Sequence, residues 1–188
     1  RAMMKAGLRG TEQQITKTLF ALYDQYHYEY NKVFQVLLKR LTGKIDYHIL
    51  AAGIVAYRAE RMLKPYPGVV QTLRKLKRKY KLAILSDAPR LKAWIRLVSI
   101  DSDAFFDVVI TKDETHRTKE HLAPFRRIVK ELRVKPEECL MVGDNVQRDI
   151  VNGKKAGMWT CFPRYGNKRI KYSGADFEIQ QIHELPTV

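Results

Sequence analysis

The chain of 188 residues lacks several features that mark particular classes of protein. It has no run of 18 apolar residues and no signal-peptide pattern, so the sequence predicts neither membrane insertion nor export. It has only two cysteines, Cys139 and Cys161, and both fall in predicted strands. Two such thiols exclude a disulfide framework and favour buried, reduced side chains. We therefore expect a cytoplasmic protein with no membrane partner.

Acidic residues are also scarce. The chain has 20 Asp and Glu against 35 Lys and Arg, which gives a formal net charge of +15. Such a surplus of positive charge is typical of proteins that bind nucleic acids. Its cations are concentrated in residues 74–81. However, Val69, Leu73, Leu76 and Tyr80 recur there at near-helical spacing, which places the cations on the solvated face of a helix. No nucleic-acid motif accompanies them, so we do not expect nucleic acid as a partner.

The most informative segment is the polar stretch 143–149, which follows the apolar run 139–142. This pattern indicates a buried strand that ends abruptly and is followed by Asp144 and Asp149. Open parallel sheets bind ligands at the carboxyl ends of their strands, and carboxylates there suit a hard cation such as Mg²⁺. The alternative is that Asp144 or Asn145 is only the N-cap of the next helix.

Two further polar positions precede this segment along the chain. The apolar run 82–85 ends at Ser86, whose hydroxyl could hydrogen-bond an anion at the edge of the sheet. Lys119 stands just before an amphipathic stretch, where it offers a positive charge near the start of a helix. The order along the chain is therefore a hydroxyl, a lysine and two acids.

This order, with the neighbours of each element, resembles the haloacid dehalogenase superfamily of phosphohydrolases, in its phosphoglycolate phosphatase-like branch. Residues from about 65 to 180 are similar to its second, third and fourth motifs. The resemblance implies that Ser86 and the backbone amide of Asp87 bind the substrate phosphate and that Lys119 stabilises the charge of the transferring phosphoryl group. It further implies that Asp144 ligates Mg²⁺ and that Asp149 orients either the metal shell or Lys119.

The chain departs from the family pattern at two places. Glu120 follows the lysine where relatives in this branch often have proline, and Pro124 comes later. The first motif, an apolar strand ending in Asp-x-Asp, is missing, and the chain opens on Arg1 with a helix-like pattern already under way. We expect that a lost segment of about 15 to 30 residues carries this strand, with the nucleophile and the general acid. The sequence therefore predicts an inactive fragment.

The resemblance implies an α/β fold: a Rossmann-like parallel sheet flanked by helices, lacking its central first strand, with a small α-helical cap domain. The predicted cap domain covers residues 1–64 and the predicted α/β core covers residues 65–188, with Pro65 to Gly68 marking the return to the core. Alternating patterns in the core predict parallel strands with right-handed crossovers. The expected strands are 82–86, 107–110, 139–143, 159–162 and 176–179, and the expected helices are 89–99, 122–132 and 146–156.

The predicted cap domain has its own pattern. Apolar residues at steps of three and four from Ile15 to Leu37 predict one long amphipathic helix, and a second runs from Asp46 to about Leu63. Two antiparallel helices would follow. By the resemblance, a cap excludes water and selects the substrate, so its tyrosines and His27 are candidates for facing the substrate. Packing within the cap is the alternative for the tyrosines.

The basic segment 164–169 follows the predicted strand 159–162. Its cations could contact an anionic substrate, or the segment could be a mobile surface loop. We expect the surface loop.

The resemblance implies a Mg²⁺-dependent phosphohydrolase of small phosphorylated metabolites that acts through an aspartyl-phosphate intermediate. One alternative is a dehalogenase or phosphomutase of the same superfamily, and another is a non-enzymatic binding or regulatory protein with this fold. Asp144 argues against halide chemistry, because an extra acid near a carboxylate nucleophile is useful chiefly when a metal neutralises it. The order of residues does not predict an oligomeric state.

Overall fold

A computed structural model of the chain describes residues 1–26, 30, 32–59 and 63–188. The chain divides into two compact units, Arg1–Met62 and Leu63–Val188. The prediction for His27 concerns a residue outside the described ranges. In these ranges, no helix is both long enough and apolar enough to cross a bilayer.

The first unit is helical wherever the structure describes regular elements. Helices α1 to α4 cover Ala2–Lys5, Glu12–Tyr26, Val33–Thr42 and Tyr47–Ala59. Helix α3 ends at Gly43, whose φ of 78° is the left-handed conformation that favours glycine at a helix end. One apolar cluster joins the helices, formed by Met3, Leu8, Leu22, Val33, Leu37, Leu38, Ile49 and Leu50. The role of this unit as a cap stays a prediction.

The single long helix predicted from Ile15 to Leu37 is wrong. Helix α2 is described as far as Tyr26, Tyr30 is not helical, and a separate helix α3 begins at Val33. The physical reason is burial, because Leu22 and Leu37 belong to the same apolar cluster and are almost completely buried. In one straight helix these residues would lie about 22 Å apart along the axis. The described part of the unit therefore contains four helices rather than an antiparallel pair.

The second unit is an α/β structure in which every strand pair is parallel, and this confirms the predicted fold class. Strand β1 pairs with β2, and strands β3, β4 and β5 form a second sheet in that order. Among the described residues, β1 and β3 do not pair with each other. The strands are Ala83–Leu85, Val108–Ile110, Leu140–Val142, Trp159–Pro163 and Phe177–Ile179. The helices α5 to α9 are Val69–Lys77, Arg90–Ser99, Lys112–Thr115, Ala123–Leu132 and Asn152–Lys155, with a π-helix at Val146–Val151.

Helix α8 forms the apolar core with the strands. Its side chains Phe125 and Ile128 are buried together with Ile110 at the end of β2 and Met158 before β4. Each predicted strand, and the predicted helices 89–99 and 122–132, agree with the structure to within one residue at either end. Parallel pairing directs the carboxyl ends of β1 and β2 to one edge, and likewise those of β3 and β4.

The predicted helix at 146–156 is only partly correct. The segment begins as the wider π-helix over Val146–Val151 and becomes α-helical at Asn152. Two hydrogen bonds shape this start: Arg148 N donates to Asn145 Oδ1 at 2.9 Å, and Asn145 N donates to Asp149 Oδ2 at 3.1 Å. Such π-helical turns occur often at functional sites.

Candidate active site

Ser86 lies at the carboxyl end of β1. Its backbone N–H donates to Ile110 O at 2.9 Å, which continues the pairing with β2 by one residue. Its Oγ accepts a hydrogen bond from Ala88 N at 3.2 Å, which holds the turn that leaves the strand. Asp87, between them, is buried. The side chains after β1 therefore have fixed positions where the sequence predicted an anion-binding hydroxyl.

Lys119 is held at three separate atoms. Its backbone N–H donates to Asp87 Oδ1 at 2.7 Å, its carbonyl accepts from Asn152 Nδ2 at 2.7 Å, and its Nζ donates to Asp149 Oδ1 at 2.6 Å. The first bond joins Lys119 to the loop after β1, and the other two join it to the segment after β3. The structure thus brings together the three loops that the sequence singled out.

Asp149 is the buried acid of this cluster. Its side chain is 4% exposed and that of Lys119 is 16% exposed, so water screens their ion pair only weakly. A Cβ at Gly143 would overlap the Asp149 carboxylate, so only glycine allows this approach. Of the two roles that the resemblance implied for Asp149, the geometry favours orienting Lys119.

Asp144 is exposed, in contrast to Asp149. The described residues include no hydrogen-bond or ion-pair partner for its carboxylate, while its backbone carbonyl accepts from Asn167 Nδ2 at 3.4 Å. The N-cap of the π-helix is Asn145, which leaves the Asp144 carboxylate free for another role. Mg²⁺ commonly binds through one or two carboxylates together with waters and substrate phosphate, and an unpaired carboxylate at a strand end fits that pattern. The described residues contain no cluster of three or more His, Cys, Asp or Glu suited to a metal.

The sequence analysis missed two side chains of this cluster, Arg148 and Asn152. Arg148 Nη1 lies 3.5 Å from Asp87 Oδ2, and its Nη2 lies 3.5 Å from Glu120 Oε1. Glu120, the departure from the family pattern, thus contributes an acid beside the lysine. Asn152 is buried three residues after Asp149, and this helical spacing was the available signal that both could face Lys119.

In the basic segment 164–169 after β4, the first cation, Arg164, forms an ion pair within the same unit. Arg164 pairs with Glu178, with Nε to Oε2 at 2.8 Å and Nη2 to Oε1 at 2.7 Å. Hydrogen bonds from Ser173 and from Arg164 hold the pKa of Glu178 below its ordinary value. The Arg164 guanidinium is therefore engaged by groups of this unit, and contact between the segment and an anionic substrate stays the alternative.

Tyr165, next in the chain, is half-buried. Burial raises the pKa of its hydroxyl to about 12. Its ring meets that of Tyr66 edge to face, with 4.8 Å between the ring centroids.

Comparison with known proteins gives consistent matches along most of the chain. The family model described as "Hydrolase: haloacid dehalogenase-like hydrolase" matches residues 6–157. A glyceraldehyde 3-phosphate phosphatase of Methanocaldococcus jannaschii is 34% identical over 98% of this chain and 83% of its own length. The pyrophosphatase PpaX of Bacillus cereus is 35% identical over 76% of this chain and 70% of its own length. A crystal structure of a HAD phosphatase from Thermococcus onnurineus superposes with a TM-score of 0.72 at 27% identity, covering 93% of this chain and 77% of that one.

Proposed function

The chain belongs to the haloacid dehalogenase-like hydrolase family, and on that premise we propose that it is part of a phosphatase that requires Mg²⁺ and acts on small phosphorylated metabolites. The observation that carries this proposal is the placement of Lys119. Its ammonium group lies 2.6 Å from a buried carboxylate, and its backbone is bonded to the loop that carries Ser86. A fixed cation on a loop that is bonded to the residue after a strand-end hydroxyl is suited to binding a phosphoryl group.

Ser86 and Lys119 act on the phosphoryl oxygens in this proposal. The Ser86 Oγ already accepts from Ala88 N, so its own proton is free to be donated to a phosphate oxygen. The Lys119 ammonium neutralises charge that spreads over the equatorial oxygens in the transition state. Fixed donors of this kind supply much of the rate enhancement of phosphoryl transfer.

Three other residues are positioning residues for Lys119. The Asp149 carboxylate accepts a hydrogen bond from the ammonium group at 2.6 Å and fixes its direction. Asp87 and Asn152 hold the backbone of the lysine on either side of its Cα. The cation therefore needs little rearrangement when the substrate binds.

Asp144 is the proposed Mg²⁺ ligand. Its free carboxylate follows β3 and would hold the ion together with waters and a phosphate oxygen. Bound Mg²⁺ would supply additional positive charge at the transferring group. A free carboxylate at this position also argues against the dehalogenase alternative, in which no metal would neutralise it.

No strand that the structure describes ends in Asp-x-Asp, and the one such sequence, at 101–103, follows helix α6. We therefore propose that the attacking aspartate and the general acid come from outside these residues. The present chain supplies the electrostatic half of an aspartyl-phosphate mechanism and is expected not to turn over substrate alone.

The relatives support a proposal for the substrate class. The likeness to a glyceraldehyde 3-phosphate phosphatase favours a short phosphorylated aldehyde or a related monoester. The likeness to a pyrophosphatase makes inorganic pyrophosphate the second candidate. Both substrates would present a terminal phosphoryl group to the same Ser86 and Lys119.

The two cysteines bear on where the protein acts. The free thiols Cys139 and Cys161 support our proposal of a cytoplasmic site of action.

The test uses protein produced from the complete coding sequence. Phosphate release is measured for glyceraldehyde 3-phosphate, a panel of other monoesters and pyrophosphate, with Mg²⁺ or with EDTA. We expect Lys119→Met to lower kcat by about 10²–10³-fold, the typical cost of losing one transition-state donor. Asp144→Asn should weaken Mg²⁺ binding, so that more Mg²⁺ is needed for half-maximal activity. Lys130→Met on the exposed face of α8 is the matched control for the lysine substitution.

Two results would contradict the proposal. If neither EDTA nor Asp144→Asn changes the rate of phosphate release, Mg²⁺ has no part in the mechanism. Absence of phosphate release from every substrate would favour the non-enzymatic alternative. The 188-residue chain, assayed in parallel, is expected to release no phosphate.

A further inference from the structure

We infer that the loop of residues 164–171, called here the β4 loop, holds the Asp144 carboxylate in its metal-binding orientation, with Gly166 as the contact point. This inference rests on the proposed function, because it takes Asp144 as a Mg²⁺ ligand. It assigns a role to a segment that the sequence analysis expected to be only a surface loop.

The β4 loop is closed on itself by Arg164. The Arg164 guanidinium donates to the carbonyl of Ile170 and, at 3.1 Å, to that of Lys171. These two bonds tie the end of the loop to its start, and the ion pair with Glu178 anchors the same guanidinium to β5. The loop therefore has a defined conformation rather than an open one.

Two further contacts fix the start of the β4 loop. Gly166 N donates to Pro163 O at 2.9 Å, which makes a tight turn at the end of β4. The Tyr165 ring packs edge to face on Tyr66, and such aromatic pairs stabilise the positions of both rings. The hydrogen bond to Pro163 and the packing of the neighbouring Tyr165 ring thus fix the position of Gly166.

Gly166 faces the Asp144 side chain at close range. A Cβ at Gly166 would lie 2.9 Å from Asp144 Cβ and 3.0 Å from Asp144 Oδ2. Gly166 does not have a positive φ, so its backbone conformation is open to alanine. The contact with Asp144 is therefore the specific reason for glycine here, and alanine would displace the Asp144 side chain.

Asn167 adds a second contact to the same residue. Its Nδ2 donates to the Asp144 carbonyl at 3.4 Å, so the loop touches both the backbone and the side chain of Asp144. Within the described ranges the Asp144 carboxylate has no hydrogen bond that would orient it otherwise. Gly166 and Asn167 are accordingly positioning residues for this carboxylate.

The first test measures Mg²⁺ affinity by calorimetry on protein produced from the complete coding sequence. We expect Gly166→Ala to weaken Mg²⁺ binding by about tenfold or more, as is typical when a residue supporting a metal ligand is changed. Asn167→Ala should weaken it in the same direction and serves if Gly166→Ala does not fold. Lys168→Ala, at an exposed position of the same loop, should leave the affinity unchanged.

Gly153→Ala is the control for crowding alone. A Cβ there would lie 3.1 Å from Thr160 Cγ2 and 3.2 Å from Met141 Cβ, with no contact to Asp144. We expect it to lower the Tm and to leave the Mg²⁺ affinity unchanged. A similar loss of affinity in Gly153→Ala and Gly166→Ala would overturn the inference.

The second test needs no metal. In EDTA, Gly166→Ala should lower the Tm by about 2–4 °C or more. The same change in an Asp144→Gly background should have almost no effect, because the side chain that it crowds is gone. If Gly166→Ala lowers the Tm equally in the unchanged protein and in the Asp144→Gly variant, the proposed contact between Gly166 and the Asp144 side chain is wrong.

The two proposals fail in different ways. If Asp144→Asn binds Mg²⁺ as tightly as the unchanged protein, the proposed metal role of Asp144 is wrong. If Asp144→Asn loses Mg²⁺ while Gly166→Ala and Asn167→Ala retain full affinity, the proposed function stands and the role of the β4 loop is wrong.

Discussion

Asp149→Asn is the substitution that tests the ion pair at the centre of the site. The Lys119 and Asp149 side chains are 16% and 4% exposed, and their charged atoms are 2.6 Å apart. Removing one partner of a buried ion pair costs about 3–5 kcal/mol, because the other charge stays buried without compensation. An asparagine carbonyl can still accept from Lys119 Nζ, but its amide nitrogen cannot accept from Asn145 N. We expect a loss of about 3–4 kcal/mol in the free energy of unfolding.

The assay is urea unfolding followed by tryptophan fluorescence. Both tryptophans, Trp94 and Trp159, belong to the unit Leu63–Val188, so the signal reports on the unit that contains the pair. The matched control is Glu131→Gln, which breaks an ion pair with Arg127 that has the same 2.6 Å separation but side chains that are 49% and 39% exposed. Exposed pairs contribute about 0–1 kcal/mol, so the control should unfold almost as the unchanged protein does.

A double-mutant cycle separates the pair from its surroundings. Lys119→Met alone leaves the Asp149 carboxylate buried with the Asn145 amide as its one remaining partner among the described residues. Combined with Asp149→Leu, which is also measured alone, it removes both charges, and we expect the double variant to be more stable than either of these two single variants by about 1 kcal/mol or more. The reasoning is refuted if Asp149→Asn costs no more than Glu131→Gln, or if the two single costs simply add.

Two further predictions concern the stability of the second unit. The hydrogen bond from Lys154 and those from Thr160 lower the pKa of Asp176, so this acid stabilises the fold above its unfolded pKa of about 4 and loses that contribution as pH falls through its lower folded pKa. Asp176→Asn should therefore reduce stability at pH 7 and flatten its decline below about pH 4, as measured by urea unfolding across pH. An unchanged slope would contradict this. Phe125 is 0% exposed, so Phe125→Ala should cost about 3–5 kcal/mol in the same assay, and a cost below about 1 kcal/mol would mean that α8 does not pack on the strands as described.

The strands and the loops of the site were predictable because their signals are local. A short apolar run that stops at Ser86, and another that stops at Gly143, identify both a strand and the polar residues at its end. The alternation of such runs with helical patterns then indicates parallel pairing. For this reason the sequence identifies Ser86, Lys119, Asp144 and Asp149 as candidates, and their individual roles are proposals.

Other features depend on contacts between distant parts of the chain. The break between α2 and α3 follows from burying Leu22 and Leu37 together, which the helical spacing of either segment does not reveal. Asn152 binds a carbonyl 33 positions earlier, and Arg148 reaches a carboxylate 61 positions earlier. Gly166 meets Asp144 only after β4 has paired with β3. Local pattern cannot specify which partners a side chain meets across the fold.

The π-helix after β3 has a consequence for how the length of the chain can vary. Between Gly143 and Asn152 the wide turn sets the direction in which Asp149 leaves the backbone. Adding or deleting one residue there would rotate every later side chain by about 100° around the helix axis and turn the Asn152 amide away from the lysine carbonyl. In related proteins, insertions and deletions should therefore be absent from the segment that corresponds to residues 143–152, even where its sequence differs. They should occur instead in the exposed loops between helices and strands.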